Sequence, residues 1–151
     1  LYDLSCTAPF GIKTTEAPHF HRVIWQREHE PSPTAIPIAS ATKRPGLRAP
    51  RSVTDGNGFL FIDHLGNVCP SGFLPLVRGN VRHGDLAAIY RNDEIFRRLR
   101  QADALGGKCG RCEFRDMCGG SRARAFTSTG AMMAADPLCA YKPAGQAATI
   151  A

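Results

Sequence analysis

The stretch GKCGRCEFRDMCGGSRARA, residues 107–125, places three cysteines within ten residues at C-x2-C-x5-C spacing. A fourth, Cys139, follows Cys118 after twenty residues. Four thiolates, three local and one distant, can hold a structural zinc or a [4Fe–4S] cluster. Zinc ribbons usually pair two C-x2-C knuckles, and only one is present here. A cubane cluster is larger than one ion and has irons at separate corners. A wide loop plus one remote cysteine suits that shape. Spacing therefore favours iron–sulfur, with zinc and unligated structural cysteines as the open alternatives.

Composition frames the site. The chain has 151 residues, 43% of them hydrophobic, enough for one modest core. No apolar run approaches the roughly 20 residues of a membrane-spanning helix. No charged segment leads into an apolar one at the start, so a cytoplasmic setting is expected. There, clustered cysteines bind metal more often than they form disulfides. The chain begins on Leu1 rather than Met, which predicts a C-terminal piece of something longer. The net charge of +6 suits an anionic partner, but no basic run of five or more occurs. Basic residues are not interleaved with aromatic ones, so nucleic acid is not the expected partner.

Outside the cysteine segment the elements are short. HFHRVIWQ, residues 19–26, reads as either helix or strand. Residues 31–50 contain five prolines and read as a loop. GFLFIDHLGNVCPSGF, residues 58–73, reads as a β-hairpin, with a strand over Phe59–Ile62, a turn in DHLGN and a return from Val68. Asp85 caps a predicted helix over Leu86–Tyr90. Asn92 or Asp93 caps a second, with Ile95, Phe96 and Leu99 on one face and Arg97, Arg98 and Arg100 in solvent. Arg122–Thr127 reads as a further helical turn.

At these residues a family resemblance emerges. GKCGRCEFRDMCGGSRARA with the later DPLCAY (136–141) resembles the SPASM domain, the C-terminal auxiliary-cluster module of radical S-adenosylmethionine (SAM) enzymes. DGNGFLFIDHLGNVCPSGFLPLVRGNVR (55–82) is similar to its opening hairpin, and GIKTTEAPHFHRV (11–23) resembles the end of the preceding partial TIM barrel. The likeness is greatest to heme d1 and heme-forming members. It implies an α+β fold, with a small hairpin and short helices around a four-cysteine cluster site. The implied layout is a barrel remnant over 1–30, a proline-rich linker over 31–54, a SPASM-like domain over 55–143 and a tail over 144–151. The resemblance implies that Cys109, Cys112, Cys118 and Cys139 ligate one [4Fe–4S] cluster. It implies a tetrapyrrole or peptide as substrate, with Arg122 and Arg124 as candidate contacts to it. The same arginines read equally as water-facing or turn-capping.

Two departures from the family pattern matter. A second auxiliary cluster would use Cys69, a cysteine near Gly84 and one at position 122. Only Cys69 is present, so it stands as a candidate extra ligand, a core residue or an accessible thiol. Cys6 reads as structural. The C-x3-C-x2-C loop that initiates radical SAM chemistry is also missing from the 151 residues. S-adenosylmethionine and its own [4Fe–4S] cluster are therefore expected only with an upstream barrel, and this chain alone is not expected to be active. The competing function is a four-cysteine zinc module with a structural or nucleic-acid-binding role.

Overall fold

The structure is a computed structural model that describes residues 1–12, 14–29 and 54–144. Of the proline-rich segment 31–54, only Thr54 falls among them, and of the tail 144–151 only Ala144. The fold is α+β, with a three-stranded antiparallel sheet and several short helices. The helices are α1 (Tyr2–Thr7), α2 (His19–His29), α3 (Leu86–Asn92), α4 (Glu94–Leu99), α5 (Gly107–Gly110) and α6 (Arg122–Thr129). The strands β1 (Phe61–Ile62), β2 (Asn67–Cys69) and β3 (Gly79–Asn80) lie in the order β1-β2-β3.

The expected hairpin forms, with Phe61 opposite Cys69 and Ile62 opposite Val68. Asp63 shapes its turn. One carboxylate oxygen accepts from the Leu65 and Asn67 main-chain N–H groups at 2.8 and 2.9 Å. Gly66 supplies the positive φ of 87° that closes the turn. Strand β3 was not anticipated. It pairs Asn80 with Asn67 and Gly79 with Val68. A two-residue Gly-Asn strand has no apolar alternation to betray it.

Both predicted caps hold. Asp85 accepts from Ala87 N at 2.9 Å, and Asp93 accepts from Ile95 N at 2.9 Å and Phe96 N at 3.3 Å. Phe96 and Leu99 are buried from α4, while Arg97 and Arg98 are exposed. Leu74, Leu99, Ala123, Met132 and Met133 form the core that carries the cysteine segment, and Phe126 of α6 packs on it.

HFHRVIWQ resolves into helix α2. Phe20 and Ile24, one turn apart, are its buried face. Trp25 meets the edge of Phe114, with ring centroids 5.3 Å apart, which lays α2 against the cysteine segment. No described helix is long and apolar enough to cross a membrane.

Candidate metal centre

The cysteine segment is a series of tight reversals. Gly106 N donates to Met133 O at 2.7 Å, anchoring the start of α5 and, with it, Cys109. Gly110, between Cys109 and Cys112, has no room for a side chain. A Cβ there would lie 1.9 Å from Leu105 O, a main-chain atom. Gly110→Ala therefore has to move backbone beneath two cysteines. By the usual cost of overpacking, it is expected to lower stability by about 1–3 kcal/mol. A urea midpoint equal to wild type would contradict this.

Cys118 closes the next turn, its N–H donating to Phe114 O at 2.8 Å. Gly119 and Gly120 follow with φ of 63° and 68°, a reversal that glycine adopts without strain. A Cβ on Gly120 would also stand 3.1 Å from Cys109 Sγ. Ser121 then caps α6, accepting from Arg124 N at 3.0 Å. Cys139 arrives on a separate turn, with its N–H on Asp136 O at 3.3 Å. Lys108 Nζ donates to the Cys139 carbonyl and fastens that turn to α5.

These turns bring Cys109, Cys112, Cys118 and Cys139 to the wall of one cavity. None of the six cysteines is in a disulfide. Cys109 Sγ accepts from Asp136 N at 3.3 Å and lies 3.7 Å from Arg122 Nη2. Burial pushes the Cys112 thiol up, and the Cys118 thiol up to about 11. Metal coordination would have to displace those protons, as it does for any thiol ligand. Among the described residues no group of three or more His, Cys, Asp or Glu side chains is set to hold a single metal ion.

Cys69 is elsewhere. It is buried on β2 and does not line this cavity. Its thiol is pushed up, chiefly by burial and then by Asp63. Cys6 is half-buried on α1. Arg122 is 2% exposed, with Nη1 donating to Met132 O at 2.9 Å and Ala134 O at 2.7 Å. Arg124 pairs with Asp136 at 2.6 Å and also donates to the Glu16 carbonyl. Both arginines thus spend their donors inside the fold. Arg115 donates to Gly110 O at 3.2 Å, and Arg111 is exposed.

The structure adds residues that the sequence did not single out. His19 and Arg22 of α2, with Tyr141, line the cysteine cavity. Arg22 Cζ sits 4.3 Å over the Tyr141 ring. Tyr141 donates to Glu113, and that bond lifts its pKa to about 12. Burial, reinforced by Arg124, holds the His19 pKa below its ordinary value. His19 Nδ1 and Arg22 Nε are buried with no hydrogen-bond partner among the described residues. An unpaired buried donor costs roughly 1–3 kcal/mol. Four thiols and orphaned polar atoms around one cavity fit an anionic group with several acceptor sulfurs. The signal for the two α2 residues was their spacing of three, which shares a face only once the stretch is helical.

A second cavity, about 580 Å³, adjoins the first and shares Gly120 with it. Phe59, Phe61 and Phe73 wall it, with Glu16, Asp55 and His21 as its ionisable residues.

No family profile matches the chain. Individual relatives do. The chain is 42% identical over 143 residues to AdoMet-dependent heme synthases of Oleidesulfovibrio alaskensis and Nitratidesulfovibrio vulgaris. Those matches cover 94% of this chain and 36% and 38% of the two relatives. The chain therefore spans little more than a third of the length of these curated relatives. It is also 35% identical over 94 residues to the PqqA peptide cyclase of Bradyrhizobium diazoefficiens, which covers 58% of this chain and 25% of that protein. Over nearly its whole length the chain is a relative of AdoMet-dependent heme synthases, and with the peptide cyclase match it fits the C-terminal part of a radical SAM/SPASM enzyme.

Proposed function

We propose that the chain is the auxiliary-cluster domain of a radical SAM/SPASM enzyme, with Cys109, Cys112, Cys118 and Cys139 ligating one [4Fe–4S] cluster. The observation that carries this is the convergence of all four cysteines, from separate turns, on one cavity. A single C-x2-C knuckle with one remote cysteine suits a cubane, whose irons stand at separate corners, better than the paired knuckles that usually grip one zinc.

The cluster, when bound, supplies one-electron redox chemistry. The chain's own residues hold and screen it. Lys108 ties the Cys139 turn to the Cys109 turn, and Asp136 N and Arg122 place donors at Cys109 Sγ. Position 122 is where a second cluster's ligand would stand. Here it carries a buried arginine engaged with main-chain carbonyls, which supports one cluster rather than two.

The substrate is a tetrapyrrole or a peptide, in keeping with the names of the relatives. The aromatic-walled cavity beside Gly120 is its candidate seat, and its size is usual for a small-molecule site. A substrate there would be one glycine away from the cluster, suited to electron relay or to shaping of the substrate site. The initiating cluster and S-adenosylmethionine belong to an upstream barrel in the same enzyme. Its C-x3-C-x2-C loop is expected about 200 residues before Cys109, on the usual size of a barrel.

Anaerobic purification and reconstitution, followed by iron, sulfide and zinc assay, tests the reading. Four irons and four sulfides per chain are expected. One tightly held zinc and no sulfide would establish the zinc module instead.

A further inference from the structure

Among the described residues, two buried side-chain nitrogen or oxygen atoms lack a hydrogen-bond partner: Arg22 Nε and His19 Nδ1. Both residues line the cavity of the four cysteines. They stand three apart on α2, hence on one face of that helix. The coincidence is specific, because other cations at the cavity have acceptors. Lys108 is bound to Cys139 O, and Arg115 donates to Gly110 O.

Arg22 is also held in place. Nη1 donates to Gln26 Oε1 one turn on, and the guanidinium lies over the Tyr141 ring. The Nε–H cannot turn to water without breaking both contacts. Arginine is a donor only and stays charged, so its missing partner must be an acceptor, best an anionic one. The acceptors a loaded cavity would offer are thiolate and sulfide sulfurs.

We propose that Arg22 is a positioning residue for the cluster, donating Nε–H to a cluster sulfur and thereby binding helix α2 to the redox centre. The proposal rests on the assignment of the four cysteines as cluster ligands. One-electron reduction adds a negative charge to the cluster. A fixed donor carrying positive charge stabilises the reduced form more than the oxidised one and raises the midpoint potential. It also makes α2 a reporter of cluster occupancy, since Trp25, the chain's single tryptophan, packs on Phe114 between Cys112 and Cys118.

The test uses the whole 151-residue chain, reconstituted with iron and sulfide, in wild-type, Arg22→Gln and Arg22→Lys forms. Iron content, midpoint potential by dithionite titration and Trp25 emission are read on each. At equal iron content, R22Q is expected to titrate at a lower potential than wild type, with R22K between them. Identical potentials for R22Q and wild type would overturn the proposal. If R22Q fails to hold the cluster, R22K decides. Retention at an intermediate potential supports the role. Loss in both variants, with Trp25 emission shifted to that of the unfolded chain, means that Arg22 only holds the fold. A wild-type chain that takes up no iron sinks the ligand assignment instead, a result separable from any shift among the variants.

Discussion

The Cys139→Ala chain, reconstituted anaerobically, is expected to hold at least about tenfold less iron than wild type while keeping its circular dichroism. The loss follows from ligand count, because three thiolates leave one iron of a cubane without a protein ligand. Perturbing even the surroundings of a metal site typically costs 10- to 100-fold in affinity, so removing a ligand should cost no less. The fold should survive, because Cys139 is fastened through its main chain. Its N–H meets Asp136 O and its carbonyl meets Lys108. Cys109 is a poorer probe. Its buried sulfur accepts from Asp136 N, so Cys109→Ala would mix ligand loss with unfolding. Cys69→Ala is the matched control, since Cys69 is off the cavity. Unchanged iron in C139A would remove the distant ligand from the assignment. Lost iron in C69A would add a fifth.

What could be read from sequence was whatever is local. Asp85 and Asp93 cap helices that begin within three residues of them, and Asp63 and Gly66 close a turn only four residues wide. Each is decided by neighbours in the chain. HFHRVIWQ could not be decided so, because two buried positions, Phe20 and Ile24, suit a helix as well as a bent strand until something covers them. The ring that meets this helix, at Trp25, is Phe114, some ninety residues away. The same holds for the site. The grouping of the cysteines was legible because three of the four that line the cavity share one segment. Arg22 and His19 were not, since only the docking of α2 brings them to the cavity. The Ser121–Glu16 bond spans 105 residues, and nothing in either segment announces it.

Asp136→Ala is expected to lower unfolding stability at pH 7 by about 3 kcal/mol, the lower end of the range for breaking a buried pair by removing one partner. Asp136 is 1% exposed, and its carboxylate gathers the site. It accepts from Ser121 N at 2.8 Å, Leu138 N at 3.1 Å, and Arg124 Nε and Nη2 at 3.1 and 2.6 Å. Truncation leaves a buried Ser121 N–H unpaired and Arg124 without its counter-charge. Arg124 keeps 23% side-chain exposure, so water recovers part of the loss and the lower figure applies. The pH dependence has a definite sign. Burial alone would raise the Asp136 pKa, but the hydrogen bonds and charge of Arg124, with the two main-chain donors, hold it below its ordinary value of 3.8. Stability from that shift is present above the ordinary value and is lost as pH falls through the lowered one. Glu16, bonded to Ser121, runs the other way. Burial raises its pKa above 4.5, so its contribution is present below that value and fades as pH rises through the raised one. Urea midpoints measured from pH 3 to 7 should therefore fall steeply at the acid end in wild type and more gently in the variant. The same substitution loosens the turn whose main chain bonds both Cys109 Sγ and the Cys139 N–H, so cluster retention should fall with it. A variant with wild-type urea midpoints at both pH extremes would show that Asp136 does not organise this turn.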